Sequence, residues 1–219
     1  IALRFVQGVG NAAAGITAGV AVALLVVPQL ARAAVPEPYP TIVGQTPTSP
    51  RSPYGATKRA CEDLADIYRI GGLSTVGLRY FTVYGPRQRP DMAMRRLCER
   101  LMDGGAFPMF GDGSQSRDFT HVADAVEGTL LAGIAPQPDP IYNIGGGEEA
   151  TLAEVIALLE ELAGATVALD RLGVQTGDVK RTSADTTRAR TTLGWVPAVG
   201  LRDGLASELA WVREQYATV

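Results

Sequence analysis

The sequence contains very few of the side chains that bind metals or build disulfide frameworks. Among its 219 residues there are one histidine, His121, and two cysteines, Cys61 and Cys98. A single histidine excludes a multi-histidine metal site, and the cysteines are not spaced as metal ligands are. Two isolated thiols are typical of a protein in a reducing compartment. We therefore expect a cytoplasmic protein that holds no metal.

An excess of positive charge is also missing. The formal net charge is −3, which predicts no nucleic-acid partner. Of the 20 basic residues only two, Lys58 and Lys180, are lysines. The chain is nevertheless long enough to bury a full hydrophobic core in one or two domains.

One of the two lysines stands four residues after a tyrosine, at Tyr54 and Lys58. On a helix, positions i and i+4 share a face. An ammonium beside a phenol favours the phenolate and lowers its pKa from about 10, so the hydroxyl can act as an acid or base nearer neutral pH. The same spacing also fits a solvated helix start, and this stretch alone leaves both interpretations open.

The residues around this pair predict a helix followed by a strand. Pro53 suits the first turn of a helix, and the apolar residues Ala60, Leu64, Ile67 and Tyr68 continue it until a stop at 71–72. Residues 74–80 predict a buried strand. Four motifs follow in order: Tyr-Phe-Thr-Val-Tyr-Gly-Pro at 80–86, Phe-Gly-Asp-Gly-Ser-Gln-Ser-Arg-Asp-Phe at 110–119, Tyr-Asn-Ile-Gly-Gly-Gly at 142–147 and Leu-Gly-Trp-Val-Pro at 193–197.

Together with the tyrosine–lysine pair, these motifs resemble the extended short-chain dehydrogenase/reductase family. They look most like its NAD-dependent sugar-nucleotide epimerases and dehydratases, over about residue 36 to the C-terminus. The resemblance implies an α/β fold: the C-terminal part of a Rossmann-like parallel sheet with a small α/β substrate-binding lobe. Residues 36–219 would contain both, with the lobe at about 86–135 and 147–219. Helices at 151–163 and 205–216 are expected to pack within this lobe.

The function that the resemblance implies is NAD-dependent epimerisation or dehydration of a nucleoside-diphosphate sugar, either a UDP- or a dTDP-sugar. Hydride would pass through protein-bound NAD. Tyr54 would move a proton at a sugar hydroxyl, while Lys58 would hold the nicotinamide ribose and lower the pKa of the tyrosine. The alternatives are a sugar-nucleotide decarboxylase or reductase of the same family, and an inactive remnant that lacks the cofactor half. A nucleotide sugar and a second copy of the chain are the expected partners, and no membrane is expected.

The resemblance also assigns residues to the cofactor and to the sugar. Tyr80, Phe81, Thr82 and Val83 are expected to meet the nicotinamide end through their backbone. Thr82 occupies a position that is often an asparagine contacting the substrate phosphate. His121 is expected to be structural, and the glycines at 145–147 are expected to form a loop before a helix.

The nucleotide is assigned to the motif around residue 110. Phe107 and Phe110 are predicted to flank the base, and Arg117 and Arg181 to bind the diphosphate, because a guanidinium matches phosphate oxygens in a bidentate manner. Two simpler interpretations stay open. The Asp-Gly pair at 112–113 is also typical of a hairpin, and a solvated basic loop also explains Arg181.

The apolar segment 1–35 is atypical, since residues 5–31 carry no charge and the first acid is Glu37. One interpretation is a membrane span or signal peptide. Another is a dinucleotide loop at Gly8 and Gly10, but only about 40 residues separate it from Tyr54, too few for the intervening βα units. The third is a frameshifted or truncated region, because residues 24–30 stand where the family has a strand and a serine-rich turn. On this basis the apolar run is expected to be helical, and this chain is expected to bind NAD weakly.

Overall fold

The computed structural model describes residues 4–6, 23–28, 53–136, 138–173 and 180–217, with side chains described from residue 56 onward. The strands are β1 (Arg4–Val6), β2 (Ala23–Pro28), β3 (Thr75–Tyr80), β4 (Val83–Tyr84), β5 (Ala106–Phe110), β6 (Ser116–His121), β7 (Ile141–Ile144), β8 (Glu148–Thr151) and β9 (Ala168–Leu172). The helices are α1 (Pro53–Ile70), α2 (Ala93–Asp103), α3 (Val122–Ile134), α4 (Leu152–Ala163) and α5 (Leu201–Ala217), with a π-helical turn at Ala189–Leu193.

The main sheet has the strand order β1-β2-β3-β7, and all of its strands are parallel. Five of the six residues of β3 are buried, as expected for a parallel strand covered on both faces. The buried strand predicted at 74–80 is therefore confirmed. The α/β fold class with a Rossmann-like parallel sheet is confirmed as well.

The apolar N-terminal segment does not form the expected helix where the structure describes it. Residues Ala23–Pro28 form β2, which pairs in parallel with the whole of β3. Valine-rich residues suit a pleated strand, and pairing with a buried neighbour satisfies their backbone. The proposed glycine loop at 8–10 lies outside the described residues. Among the helices that are described, none is long and apolar enough to cross a membrane.

The two faces of the sheet are covered by different helices. The Thr75 hydroxyl donates to the Ala65 carbonyl of α1 at 3.0 Å, whereas the Tyr80 hydroxyl hydrogen-bonds Thr129 of α3. Because successive side chains of a strand point to opposite faces, Thr75 and Tyr80 project on opposite sides. Helices α1 and α3 therefore lie on opposite faces of β3.

Helix α1 turns a charged side chain toward the sheet and an apolar stripe away from it. Leu64, Ile67 and Tyr68, whose spacing predicted the helix, are 51%, 63% and 52% exposed. The buried positions are Glu62 and Ala65, because Glu62 forms a bidentate ion pair with Arg79 of β3 at 2.7 and 2.8 Å.

The second part of the structure surrounds its own hydrophobic core. It contains the sheet β4-β6-β8, the parallel pair β5-β9, and helices α2, α4 and α5. The helix predicted at 151–163 is confirmed as α4, whose N-cap Thr151 forms a capping box with Glu154. The helix predicted at 205–216 is confirmed as α5, although it begins at Leu201, four residues earlier.

A buried acid lies in the middle of this core. Glu208 of α5 is 0% exposed, and its Oε2 accepts a hydrogen bond of 3.0 Å from the backbone N–H of Gly85. Burial raises the pKa of Glu208 to about 7. A carboxyl group whose pKa is raised by folding stabilises the protein below its unfolded pKa, and this contribution disappears as the pH rises through its folded pKa.

We expect the unfolding free energy of Glu208→Gln to rise relative to that of the native chain as the pH rises. Glutamine keeps an acceptor for Gly85 but cannot ionise, so the difference in unfolding free energy should grow by about 3 kcal/mol between about pH 5 and about pH 8. Urea unfolding at both pH values measures it. Glu127→Gln, at an exposed position of α3, should show no such change. A pH-independent difference for Glu208→Gln would contradict a buried carboxyl that ionises near pH 7.

Candidate active site

The tyrosine–lysine pair lies in the first two turns of α1. Tyr54 is the second residue of the helix and Lys58 follows one turn later. Residues 54, 58, 62 and 65 share one side of a helix, and Glu62 and Ala65 are the residues that meet β3. Both positions therefore belong to the sheet-facing side of α1, and the half-buried state of Lys58 agrees with this.

The pair also lies at the edge of the sheet where β3 ends. Ala65 contacts Thr75 at the start of β3, whereas Glu62, earlier in the helix, contacts Arg79 near the end of the strand. Helix and strand thus run in opposite directions, and residues still earlier in α1 lie toward the carboxyl ends of the strands. In open α/β sheets this is the edge that binds ligands.

The turn at 80–83 is held at the same edge by its neighbours. The Tyr80 hydroxyl bonds to Thr129, and burial raises the pKa of Tyr80. This phenol therefore faces α3, which leaves the backbone of Tyr80 as the part predicted to meet the nicotinamide. Phe81 is buried, and its N–H donates to the carbonyl of Ile144 at the end of β7 at 3.0 Å.

Strand β6 connects this turn to the part of the structure that surrounds the second hydrophobic core. The Thr82 carbonyl accepts a hydrogen bond of 3.0 Å from the N–H of Thr120, and Val83 pairs with the same residue. Thr82 and Val83 are both half-buried. Arg117 lies on β6 three residues before Thr120, so one strand carries a predicted phosphate ligand and supports a predicted cofactor turn.

The two phenylalanines predicted to flank the base do not face the same way. Phe107 and Phe110 are three residues apart on β5, and strand alternation places them on opposite faces. Phe107 is buried in the lobe core, whereas Phe110 is half-buried at the end of the strand. They cannot sandwich one base together, so of the two only Phe110 remains a predicted base contact.

The turn after Phe110 is not a hairpin. Gly111 and Gly113 have φ values of 74° and 81°, a conformation that favours glycine. The strands on either side belong to different sheets, since β5 pairs with β9 and β6 pairs with β4 and β8. The hairpin interpretation of the Asp-Gly pair was therefore wrong.

The two predicted diphosphate arginines also lie on opposite sides of a strand. Arg181 forms a bidentate ion pair with Glu149 at 2.6 and 2.9 Å, and Ser116 donates to the same carboxylate at 2.7 Å. Ser116 bridges to Arg181, so both point to one side of β6 and the next residue, Arg117, points to the other. The structure thus places Arg181 in a surface ion pair and does not bring it to the face that carries Arg117.

Two functional-looking charged groups escaped the sequence analysis. Asp118 is a buried carboxylate next to Arg117, and Glu62 of α1 pairs with Arg79 of β3. No periodic signal in the sequence indicated Asp118, because it stands beside the core residue Phe119 and the last four residues of β6 are all buried. The Glu62–Arg79 ion pair joins residues 17 positions apart. No local sequence signal indicates it, because the pair forms only when α1 packs on β3.

His121 is structural, as expected. Its Nδ1 accepts from the N–H of Ala123 at 3.3 Å and caps α3, while its Nε2 lies 3.1 Å from the hydroxyl of Ser207. Burial lowers the pKa of His121, which favours the neutral ring with Nε2–H donating to Ser207. Among the described residues, no cluster of histidine, cysteine and acidic side chains could hold a metal ion.

Comparison with protein families matches residues 31–145, more than half of the chain, to the NAD dependent epimerase/dehydratase family. The chain belongs to this family. A protein of Bacillus subtilis (strain 168) named as an uncharacterized UDP-glucose epimerase is 42% identical over 173 residues, which cover 78% of this chain and 55% of that protein. The UDP-glucuronate 4-epimerase of Thermodesulfobacterium geofontis is 38% identical over 168 residues, covering 76% of this chain and 52% of the epimerase. The chain thus spans about half the length of these curated family members.

Solved structures of the family share the fold. UDP-glucuronic acid 4-epimerase from Bacillus cereus, in complex with UDP-glucuronic acid and NAD, superposes with a TM-score of 0.81 at 35% identity, covering 90% of this chain and 62% of that one. A dTDP-glucose 4,6-dehydratase from Streptomyces venezuelae, with NAD bound, has a TM-score of 0.81 at 30% identity, with coverages of 90% and 61%. These likenesses agree with a Rossmann-like sheet that carries a separate lobe.

Proposed function

We propose that this chain carries the acid–base tyrosine and the substrate-binding lobe of an NAD-dependent enzyme that epimerises or dehydrates a UDP- or dTDP-sugar. The observation that carries the proposal is the placement of Tyr54 and Lys58 on the sheet-facing side of α1, at the carboxyl ends of the parallel strands. The named relatives, UDP-sugar epimerases and dTDP-glucose dehydratases, support the substrate class.

In the proposed mechanism Tyr54 removes a proton from a sugar hydroxyl and later returns one. Lys58, one turn along the same face, supports this by holding the nicotinamide ribose. When bound, NAD supplies hydride acceptance and return at the sugar carbon. The described residues fit the nicotinamide end, because the half-buried Lys58 and the backbone of 80–82 lie at the same edge of the sheet.

The direct test of this function combines binding and turnover. The purified chain is titrated with UDP and dTDP by calorimetry, its NAD content is measured after denaturation, and UDP-glucuronic acid, UDP-glucose and dTDP-glucose are assayed with added NAD. We expect binding of at least one nucleoside diphosphate. Because this chain is expected to bind NAD weakly, conversion of the sugar should be low and should rise with the concentration of added NAD. A chain that binds neither nucleotide and converts none of the sugars would refute the proposal.

Arg117 is the proposed diphosphate ligand, and Arg117→Ala should weaken nucleoside-diphosphate binding by about 1.5–3 kcal/mol, the scale of a charge-assisted hydrogen bond. Calorimetric titration with UDP or dTDP measures the change. Arg181→Ala is the matched control, because Arg181 is paired with Glu149 on the other side of β6, and its dissociation constant should stay within about threefold of the native one. Equal losses for both variants, or none for Arg117→Ala, would contradict the assignment of Arg117.

A further inference from the structure

Asp118 is a buried carboxylate on β6, next to the proposed diphosphate ligand Arg117. It is 2% exposed, and its two oxygens accept hydrogen bonds from the N–H of Gly146, at 2.7 and 2.9 Å, and from the N–H of Ala184, at 2.7 Å. Its own N–H donates to the Thr182 hydroxyl at 3.2 Å. Hydrogen bonds to an ionised acceptor are about twice as strong as neutral ones. This one side chain therefore fastens two separate segments onto β6.

The segments that Asp118 fastens are packed against the turn that contains Thr82. A side chain at Gly145 would have its Cβ 2.7 Å from Cβ of Ala184 and 2.9 Å from the ring of Phe81. A Cβ at Gly147 would overlap the carbonyl of Phe119 on β6. The loop at 145–147 is thus enclosed by β6, by Ala184 and by Phe81, and it has no room to shift without moving them.

Three residues of β6 contribute to this arrangement in different ways. Arg117 points to the side of the strand that carries the proposed diphosphate site, Asp118 points to the glycine loop, and the N–H of Thr120 holds the Thr82 carbonyl at 3.0 Å. The distance between the proposed phosphate ligand and the proposed nicotinamide turn therefore depends on how β6 and the loop are held together.

We propose that Asp118 is a positioning residue that sets Arg117 and the Phe81–Thr82 turn relative to each other, so that one nucleotide sugar can reach both. This inference rests on the proposed function. Asparagine in place of Asp118 has nearly the same shape, but it offers one acceptor oxygen, and its amide group would face a backbone N–H donor. Oδ2 of Asp118 accepts from both N–H groups, at 2.9 Å from Gly146 and 2.7 Å from Ala184, whereas Oδ1 accepts only from Gly146 at 2.7 Å. With the amide group in the place of Oδ1, a donor would face the Gly146 N–H, so the glycine loop should loosen while the side chain of Arg117 remains unchanged.

The test compares two buried carboxylates of similar architecture. Asp124 is also 2% exposed and accepts from two backbone N–H groups, those of Ala198 and Val199, at 3.0 and 3.1 Å. It lies on α3, outside the proposed site. Asp118→Asn should weaken binding of UDP or dTDP about tenfold, whereas Asp124→Asn should lose comparable stability and keep its affinity within about twofold. Calorimetry and urea unfolding on the full chain measure both quantities.

A second measurement does not depend on a ligand. Amide hydrogen exchange at Phe81 and Thr120, whose N–H groups hold the turn, should accelerate about tenfold or more in Asp118→Asn and remain unchanged in Asp124→Asn. If neither nucleotide binds the native chain, the proposed function fails, and hydrogen exchange still decides whether Asp118 positions the turn. Native exchange at both amides in Asp118→Asn would overturn the inference, as would an equal loss of affinity in the two variants.

A double-mutant cycle separates positioning from general stability. If Asp118 acts through Arg117, Asp118→Asn should cost clearly less affinity in an Arg117→Ala background than alone. Fully additive losses would count against the inference.

Should Asp118→Asn fail to fold, Thr182→Val removes the acceptor for the Asp118 N–H and keeps the carboxylate. It should accelerate exchange at Phe81 by about threefold, and unchanged exchange there would overturn the inference.

Discussion

Tyr54→Phe is expected to lower turnover of the nucleotide sugar by about 10²–10⁴-fold, the usual contribution of general acid–base catalysis. The change deletes one hydroxyl and almost no volume, so binding of the nucleotide sugar should stay nearly native. The expectation follows from the place of Tyr54 on α1, one turn before Lys58 and at the carboxyl ends of β2 and β3. Steady-state turnover and calorimetric binding, measured on the same preparations, separate the two effects.

Tyr68→Phe provides the matched control for this experiment. Tyr68 lies on the same helix but is 52% exposed, on the side away from the sheet, so its variant should retain native turnover. Turnover of Tyr54→Phe within about threefold of the native value would remove Tyr54 from the chemistry. A parallel loss of nucleotide-sugar binding would instead indicate that the variant disturbs the site as a whole.

Glu62→Ala is expected to destabilise the protein by about 3–5 kcal/mol, because it leaves the guanidinium of Arg79 buried without its counter-ion. The two side chains are only 9% and 10% exposed and form a bidentate pair at 2.7 and 2.8 Å. Since this pair joins α1 to β3, its loss should also loosen the helix that carries Tyr54 and Lys58. Urea unfolding measures the stability, and hydrogen exchange along α1 reports the loosening.

The neighbouring residue supplies the control. Asp63 pairs with Arg59 on the exposed side of α1 at 2.8 Å, and the two side chains are 53% and 43% exposed. Asp63→Ala should therefore cost less than about 1 kcal/mol. Replacing both buried partners, as Glu62→Leu with Arg79→Met, should recover most of the stability lost in Glu62→Ala. A loss for Glu62→Ala as small as that for Asp63→Ala would show that the buried pair does not hold α1 on the sheet.

Much of the architecture was predictable from short stretches of sequence. The buried strand at 74–80, the helix that begins at Pro53 and the capped helix after Thr151 all follow from local apolar runs, a proline at a helix start and a capping box. The motif order was enough to indicate the family. The prediction of a helix in the apolar segment failed at Ala23–Pro28, because apolar composition does not distinguish a helix from a strand that pairs with a neighbour on each side.

The sequence by itself thus determined β3, helices α1, α4 and α5, and the family, and it predicted where acid–base and phosphate-binding chemistry would lie. Only the tertiary structure decided which of these residues face each other. Arg117 and Arg181 both matched phosphate positions, yet the pairing of Ser116 with Arg181 puts them on opposite sides of β6. Leu64 continued an apolar helical pattern, yet Arg79 drew Glu62 to the sheet instead. Periodicity and spacing are local properties of the chain, whereas the partner of a side chain depends on strand order and helix rotation, which distant residues determine together.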